Sequence, residues 1–262
     1  MKNLTKLTDM IYRLTIPYKD IFTTVYTVKT DKGVLLFDVA STDFDVENYI
    51  IPMLNELNIK GEQIKYLFIS HDHKDHSGGV ERFLQEFPNV TVLSRKERIK
   101  LLFKDATVLS LSDGDVFMDV FKLIEIPGHS ADSAAVLDMR TNTLISGDSL
   151  QVYGIFGSQE WGSNIGLTSE YLDSIGRLRK MEIENIYSAH DFHPYGFKAE
   201  GKEAVKKFID ASEEPIRKIL DLIVKNPTLD DLAIHDMYIS GPKRVPPIRV
   251  GVIKLARESL QK

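Results

Sequence analysis

Short apolar runs separated by turn residues dominate the first half of the chain. Two of these runs, Phe22–Lys29 and Val34–Ala40, flank the turn 30–33 with an Asp and a Gly, which predicts a β-hairpin. The apolar residues of 44–58 recur at near-helical spacing and predict a helix. The compact run 64–70 predicts another strand. Strands and helices therefore begin to alternate early in the chain.

The alternation continues to about residue 190, and the remainder of the chain has a mostly helical pattern. The further predicted strands are 90–93, 121–126, 134–138, 143–146 and 185–188. The predicted helices run from the turn at 77–79 to about 87, over 95–103 and over 169–181, and then near 200–225, 228–236 and 247–260. This order predicts an α/β fold in which helices cover sheets.

Composition narrows the function classes. The 262 residues are 43% hydrophobic and contain no apolar run near the roughly 20 residues that span a bilayer, so no membrane association is expected. The N-terminus has no apolar core of a signal peptide, and cysteine is absent, which together predict a cytoplasmic protein. The net charge of −5 argues against a nucleic-acid partner.

The densest group of reactive side chains is the segment 71–76, HDHKDH, directly after an apolar run. His71 and His73 are two residues apart, so in an extended chain their side chains point the same way. Asp75 and His76 follow where the chain turns into the next helix and can face the same pocket. Imidazole and carboxylate without thiolate suit zinc, iron or manganese. A solvated turn would have no need of three histidines, so the segment predicts a metal site.

Three later residues repeat the pattern of a metal-ligand type at the end of an apolar strand: His129, Asp148 and His190. Each signal is weak alone, because Gly-Asp and strand-end histidines are common in turns. His193 is the alternative to His190, which is preferred because the predicted strand stops there.

The motifs SHDHKDHSGG, PGHS, SGDS and SAH, in this order, resemble those of the metallo-β-lactamase-fold hydrolases, in particular the glyoxalase II and lactonase branch. The resemblance implies a four-layer αββα sandwich over residues 1–196, followed by a C-terminal helical region over 197–262. It also implies two divalent cations, with zinc as the expected metal and manganese or iron as the alternatives. By this resemblance the first cation is held by His71, His73 and His129, the second by Asp75, His76 and His190, and both by Asp148. The absence of cysteine excludes the zinc β-lactamases with a Cys ligand. The resemblance further implies that Asp38, at the end of the run 34–40, orients a ligand histidine from behind, and the alternative is a solvated strand-end residue.

The function expected from this ligand set is hydrolysis of a small ester, thioester or lactone by a hydroxide that bridges the two cations. Asp75 is the expected catalytic residue, because it can orient the nucleophile and pass a proton to the leaving group. The alternatives are a phosphodiesterase of the RNase Z type, a mononuclear iron sulfur dioxygenase and a non-catalytic metal-dependent binding protein. The acidic net charge counts against the first of these.

Substrate recognition is expected from residues outside the ligand set. Tyr153 and Trp161 lie in a glycine-punctuated loop after Asp148 and are candidates to line a pocket for a small-molecule substrate, although they also suit simple packing of the loop. The basic residues of 243–262 could contact an anionic substrate or form a solvated face. The sequence does not decide the oligomeric state, and a homodimer stays open.

Overall fold

A computed structural model describes residues 3–18, 21–95, 107–152, 154–156, 159–161, 163–192, 196–240 and 248–261. Residue contacts divide the chain into two compact units, Met1–Asp119 and Val120–Lys262. The C-terminal helices belong to the second of these units. The division into a catalytic domain over 1–196 and a helical region over 197–262 stays a prediction.

The first unit is built on a seven-stranded mixed sheet in which β1 to β7 lie in chain order. Its strands are β1 (Leu4–Lys6), β2 (Ile11–Tyr18), β3 (Ile21–Thr30), β4 (Gly33–Phe37), β5 (Ile64–Phe68), β6 (Thr91–Ser94) and β7 (Val108–Ser110), and a short β8 (Val116–Phe117) follows them. Strands β1 to β4 are antiparallel neighbours, whereas β4 to β7 run parallel. The predicted hairpin is confirmed as β3 and β4.

The helices among the described residues of the first unit are short. They are α1 (Asp43–Asp45), a π-helical turn (Val46–Ile50), α2 (Ile51–Glu56), a 3₁₀ turn (Gly61–Gln63), α3 (Lys74–Ser77) and α4 (Val80–Glu86). The side chain of Thr42 caps α1 by accepting from the backbone N–H of Asp45. The helix predicted over 44–58 is confirmed, with a π-helical turn inside it. The helix predicted over 95–103 lies outside the described residues beyond Arg95.

The second unit contains a sheet with the strand order β15-β14-β11-β10-β9, in which β11 and β14 are parallel and the other neighbours are antiparallel. Its strands are β9 (Phe121–Glu125), β10 (Ala134–Asp138), β11 (Thr143–Gly147), β14 (Asn185–Phe192) and β15 (Gly196–Glu200), and β12 (Gly154–Phe156) pairs with β13 (Gln159–Trp161) in a separate ribbon. The helices are α5 (Thr168–Leu178), α6 (Lys202–Lys225), α7 (Asp231–Ile239) and α8 (Val250–Ser259). The predicted C-terminal helices are therefore confirmed.

Each unit has its own apolar core between sheet and helices. In the first unit Leu67 of β5 is buried in the same cluster as Phe83 of α4. In the second unit Leu144 and Ile186 of the sheet share a cluster with Phe208 of α6. Burial of each such side chain stabilises the fold by about 1.5–3 kcal/mol. These cores hold the strand ends, and the loops that follow them, in fixed positions. Among the described residues, no helix combines the length and the apolar character that crossing a membrane requires.

Candidate metal centre

Three imidazoles of the segment 71–76 come together directly after β5. His73 is still extended and forms the N-cap position of α3, so Asp75 and His76 lie in the first turn of that helix. The ring of His71 lies 4.5 Å from that of His73 and 4.3 Å from that of His76, measured between ring centroids. The residues His71, His73, Asp75 and His76 are called the first cluster below. The strand end followed by a helical turn thus brings the rings together as the spacing predicts.

A buried carboxylate lies behind this cluster. Asp38 is fully buried, and its Oδ2 accepts a 2.7 Å hydrogen bond from Nδ1 of His76. Ser70 donates to the same carboxylate from its backbone N–H (2.8 Å) and from its hydroxyl (2.9 Å). Of the two sequence interpretations of Asp38, the solvated strand-end residue is therefore wrong. Burial raises the pKa of Asp38, against the lowering effect of His76 and Ser70.

These bonds fix the tautomers of two histidines of the first cluster. The hydroxyl of Ser70 has one proton, which it donates to Asp38, so it accepts from Nδ1 of His71 at 3.0 Å. In the neutral rings of His71 and His76, Nε2 then carries the lone pair, as a metal ligand requires. Nε2 of His76 lies 3.4 Å from Oδ2 of Asp75. Two acceptors at that separation need a proton or a cation beside them.

A glycine brings helix α3 against the loop that carries Asp38. A Cβ at Gly78 would overlap with the carbonyl oxygen of Ser41, so only glycine fits there. The backbone N–H of Val39 donates to the carbonyl of His76 at 2.9 Å, which joins the same loop to α3. This close approach explains the glycine pair of the SHDHKDHSGG motif.

Three ligand-type residues of the second unit also meet, although they lie far apart in the sequence. His129, Asp148 and His190, called the second cluster below, are all buried. Oδ1 of Asp148 lies 3.2 Å from Nε2 of His190, and Oδ2 lies 3.6 Å from Nε2 of His129. Each oxygen of one carboxylate therefore faces a different imidazole.

The ring of His129 is oriented by the backbone. Its Nδ1 lies 2.7 Å from the carbonyl oxygen of Asn164, which can only accept, so Nδ1 carries the proton in the neutral ring. Nε2 then presents its lone pair toward Asp148. The loop is tight, because Gly128 has a φ of +151° and a Cβ there would come within 2.6 Å of the Tyr171 side chain.

The sequence analysis placed each of these three residues at the end of a strand, which is correct for two of them and wrong for the third. His129 follows β9 and Asp148 follows β11, as predicted. The prediction that the strand stops at His190 is wrong, since β14 runs on to Phe192. The ladder with β11 ends at Ser188, but the pairing of Phe192 with Gly196 continues the strand along β15.

The chain with this geometry matches a known protein family. A profile of the family described as the Metallo-beta-lactamase superfamily matches residues 18–190, which is well over half of the chain. The chain belongs to the metallo-β-lactamase superfamily. The donor set of this superfamily member also fits divalent metal, because histidine and carboxylate ligands suit zinc, manganese and iron, and the described contacts leave the Nε2 lone pairs of His76 and His129 facing carboxylates.

Curated relatives match only part of the chain. A hydroxyacylglutathione hydrolase of Hamiltonella defensa subsp. Acyrthosiphon pisum is 32% identical over 145 residues, which cover 54% of this chain and 54% of the relative. The lactamase-like protein aptB of Emericella nidulans is 26% identical over 171 residues, or 64% of this chain and 50% of that protein. This superfamily member thus spans about half the length of the curated relatives it matches.

The fold extends the likeness to nearly the whole chain. A metallo-beta-lactamase family protein from Thermus thermophilus superposes with a TM-score of 0.67 at 17% identity, covering 98% of this chain and 94% of the other. The prediction of an α/β metallo-β-lactamase fold with two sheets and helices is therefore confirmed.

The substrate-binding residues expected from the sequence are not placed. Tyr153 lies outside the described residues, as do His193 and the basic residues Lys243 and Arg244. Trp161 ends β13, and its side chain is not among those described. The structure adds two residues that sequence reasoning missed, Ser70 and Asn164, which orient His71 and His129.

Proposed function

We propose that this protein is a dinuclear metal-dependent hydrolase that cleaves a small ester, thioester or lactone. One observation carries the proposal: each oxygen of the buried Asp148 carboxylate faces the Nε2 of a different histidine. A carboxylate held in this way suits a ligand shared by two cations. The bonds that fix the Nδ1–H tautomers of three histidines support the same reading.

The two clusters would act as one site in this proposal. His71, His73 and His129 would hold the first cation, and Asp75, His76 and His190 the second. Asp148 would bridge the cations, and its two neighbours, His129 and His190, belong to different cations in this assignment. Zinc is the proposed metal, since it prefers imidazole nitrogen and carboxylate oxygen ligands.

When bound, the two cations would lower the pKa of water and act as Lewis acids, so that a nucleophile is available at neutral pH. Asp75 would accept a proton at its carboxylate from the attacking water and return it to the leaving group. The Asp75 side chain is 15% exposed, whereas that of His76 is fully buried, so the carboxylate can reach a substrate while the ring is held from behind. Thr23 steadies this turn by donating its hydroxyl to the backbone carbonyl of Asp75.

A thioester is the favoured substrate among the three, because the relatives include hydroxyacylglutathione hydrolases and hydroxyacylglutathione is a thioester. A cytoplasmic location, a small-molecule partner and the absence of nucleic-acid and membrane partners belong to the same proposal. The net charge of −5 supports the exclusion of polyanions.

The test combines elemental analysis of the purified protein with a panel of lactone, thioester, phosphodiester and β-lactam substrates. We expect two equivalents of divalent metal and hydrolysis confined to the thioester, lactone or related ester. Hydrolysis of the phosphodiester alone would overturn the proposal in favour of the RNase Z type. Iron with oxygen uptake would favour the sulfur dioxygenase, and metal binding without any hydrolysis would favour a binding protein.

A pair of variants tests the last ligand. His190→Ala should lose about one equivalent of metal, because His190 would coordinate the second cation. His193→Ala, three residues further on, is the matched control and should retain both. Loss of one equivalent in His193→Ala, with both retained in His190→Ala, would show that His193 is the ligand instead.

A further inference from the structure

Gln151 is a buried residue that the proposed ligand set does not include. Its Nε2 donates to the backbone carbonyl of Asp148 at 2.6 Å, and its Oε1 accepts from the backbone N–H of Asn164 at 3.0 Å. The orientation of the amide is unambiguous, because the carbonyl can only accept and the N–H can only donate. Both ends of the amide are therefore used, each on a different segment of the chain.

Each of these segments controls one member of the second cluster. The first bond restrains the backbone of Asp148 itself. The second restrains Asn164, whose carbonyl accepts from Nδ1 of His129. A continuous path of three hydrogen bonds thus runs from the His129 ring through Asn164 and Gln151 to Asp148.

The backbone of Gln151 is itself held in place. Its N–H donates to the hydroxyl of Tyr171 at 3.0 Å, and its carbonyl accepts from the hydroxyl of Ser163 at 3.1 Å. Burial raises the pKa of Tyr171, so the phenol keeps its proton and donates it to the carbonyl of Ser212 in α6. The backbone that carries the Gln151 amide is therefore held by hydrogen bonds within the second unit.

We propose that Gln151 is a positioning residue that fixes Asp148 relative to His129 for cation binding. The inference rests on the proposed function, since it takes these two residues to be ligands. Without the amide bridge, the backbone of Asp148 and that of Asn164 would lose the side chain that joins them. The cation would then have to order the Asp148 carboxylate and the His129 imidazole when it binds, and its affinity would be lower for that reason.

The experiment measures binding of Co²⁺ to the metal-free protein by its visible absorption, in competition with a chelator. Gln151→Glu keeps the acceptor for Asn164 but places an oxygen against the carbonyl of Asp148. Gln151→Met keeps the approximate size and removes both bonds. Ser212→Ala is the matched control, because it removes a buried hydroxyl that donates to the carbonyl of Phe208 and leaves every hydrogen bond of Gln151 in place. The Tm of each metal-free variant is recorded alongside.

We expect both Gln151 variants to weaken Co²⁺ binding about 10–100-fold and to change its visible spectrum, as loss of a group behind metal ligands commonly does. Ser212→Ala should stay within about threefold of the parent, although its Tm also falls. Unchanged Co²⁺ affinity in Gln151→Met and Gln151→Glu would overturn the inference, as would equal weakening in Ser212→Ala. A parent protein that binds Co²⁺ and hydrolyses nothing would overturn the proposed function alone, because the role of Gln151 is read from cation binding.

Discussion

The first and the second cluster are assembled in opposite ways. The first cluster comes from six consecutive residues, in which a strand end and one helical turn suffice to gather the rings. The second is gathered from three separate loops and strands of the sheet in the second unit. The first therefore depends on local geometry, whereas the second depends on the packing of the unit around it.

The clusters also differ in what orients their histidines. In the first cluster the carboxylate of Asp38 holds His76 directly and His71 through Ser70. In the second, a backbone carbonyl holds His129. A side chain can be removed by substitution, but a carbonyl cannot, so the two clusters should respond differently to the same kind of mutation.

The largest effect is expected at Asp75, where a substitution should lower activity without unfolding the protein. Asp75→Ala should lower kcat per bound metal about 10²–10⁴-fold, because it removes the carboxylate that we propose as the proton acceptor. Asp72→Ala is the control, since Asp72 is a half-buried carboxylate of the same segment. Steady-state kinetics, metal content and Tm are measured together. Activity per bound metal that is equal in Asp75→Ala and the parent would refute this role.

The next largest effect compares histidines that are oriented by a side chain with a histidine that is oriented by a backbone carbonyl. Asp38→Asn should weaken metal binding about 10–100-fold, because the amide cannot accept all three bonds made by Ser70 and His76. Asparagine tolerates the left-handed φ of +64° at this position, so the backbone is not the cause. Asn164→Ala should change affinity less than about twofold, because the exposed side chain is lost while the carbonyl stays. Chelator competition measures both, and a larger loss in Asn164→Ala would contradict the comparison.

The same contrast explains what the sequence could predict. The β3–β4 hairpin and the segment 71–76 are visible because turn residues and ligand types are dense and local. Strand β2 was not predicted, since Arg13 and Pro17 interrupt its apolar pattern. In the fold Arg13 is buried, with its guanidinium 5.2 Å from the centre of the Phe22 ring.

Other features were hidden because they act through the backbone or over long distances. Asn164 orients His129 with its carbonyl, which every residue type possesses. Gln151 acts through an amide with no catalytic signature. The continuation of β14 past His190 depends on pairing with β15, which no pattern within 185–192 encodes. Local chemistry was therefore predictable, whereas of its long-range support only Asp38 was anticipated, as one of two interpretations.

A smaller effect is expected from the charged contacts between helices of the second unit. Glu213 of α6 forms an ion pair with Arg179 and accepts from Arg217 at 2.8 Å. Burial works to raise the pKa of Glu213, but the two arginines outweigh it and leave the pKa below its ordinary value of 4.5. Glu213→Gln should lower the free energy of unfolding by about 1 kcal/mol, a modest figure because water screens Arg217.

The sign of the pH dependence follows from the lowered pKa. The stabilisation by Glu213 is fully present above pH 4.5 and is lost as the pH falls through the folded pKa. Denaturant unfolding of the parent and Glu213→Gln should therefore differ at about pH 7 and converge in acid. A difference that grows toward low pH would contradict the assignment.

The smallest effect is expected at the corresponding contact in the first unit. Arg82 of α4 donates to Glu47 at 2.8 Å, but the Glu47 side chain is 51% exposed, so water competes for both charges. Glu47→Gln should leave the Tm nearly unchanged at physiological salt, and any difference seen at low salt should vanish as salt is added. The first cluster needs little support from such contacts, because its geometry is local. If Glu47→Gln lowered the Tm as much as Glu213→Gln does, the first unit would depend on helix contacts to the same degree as the second.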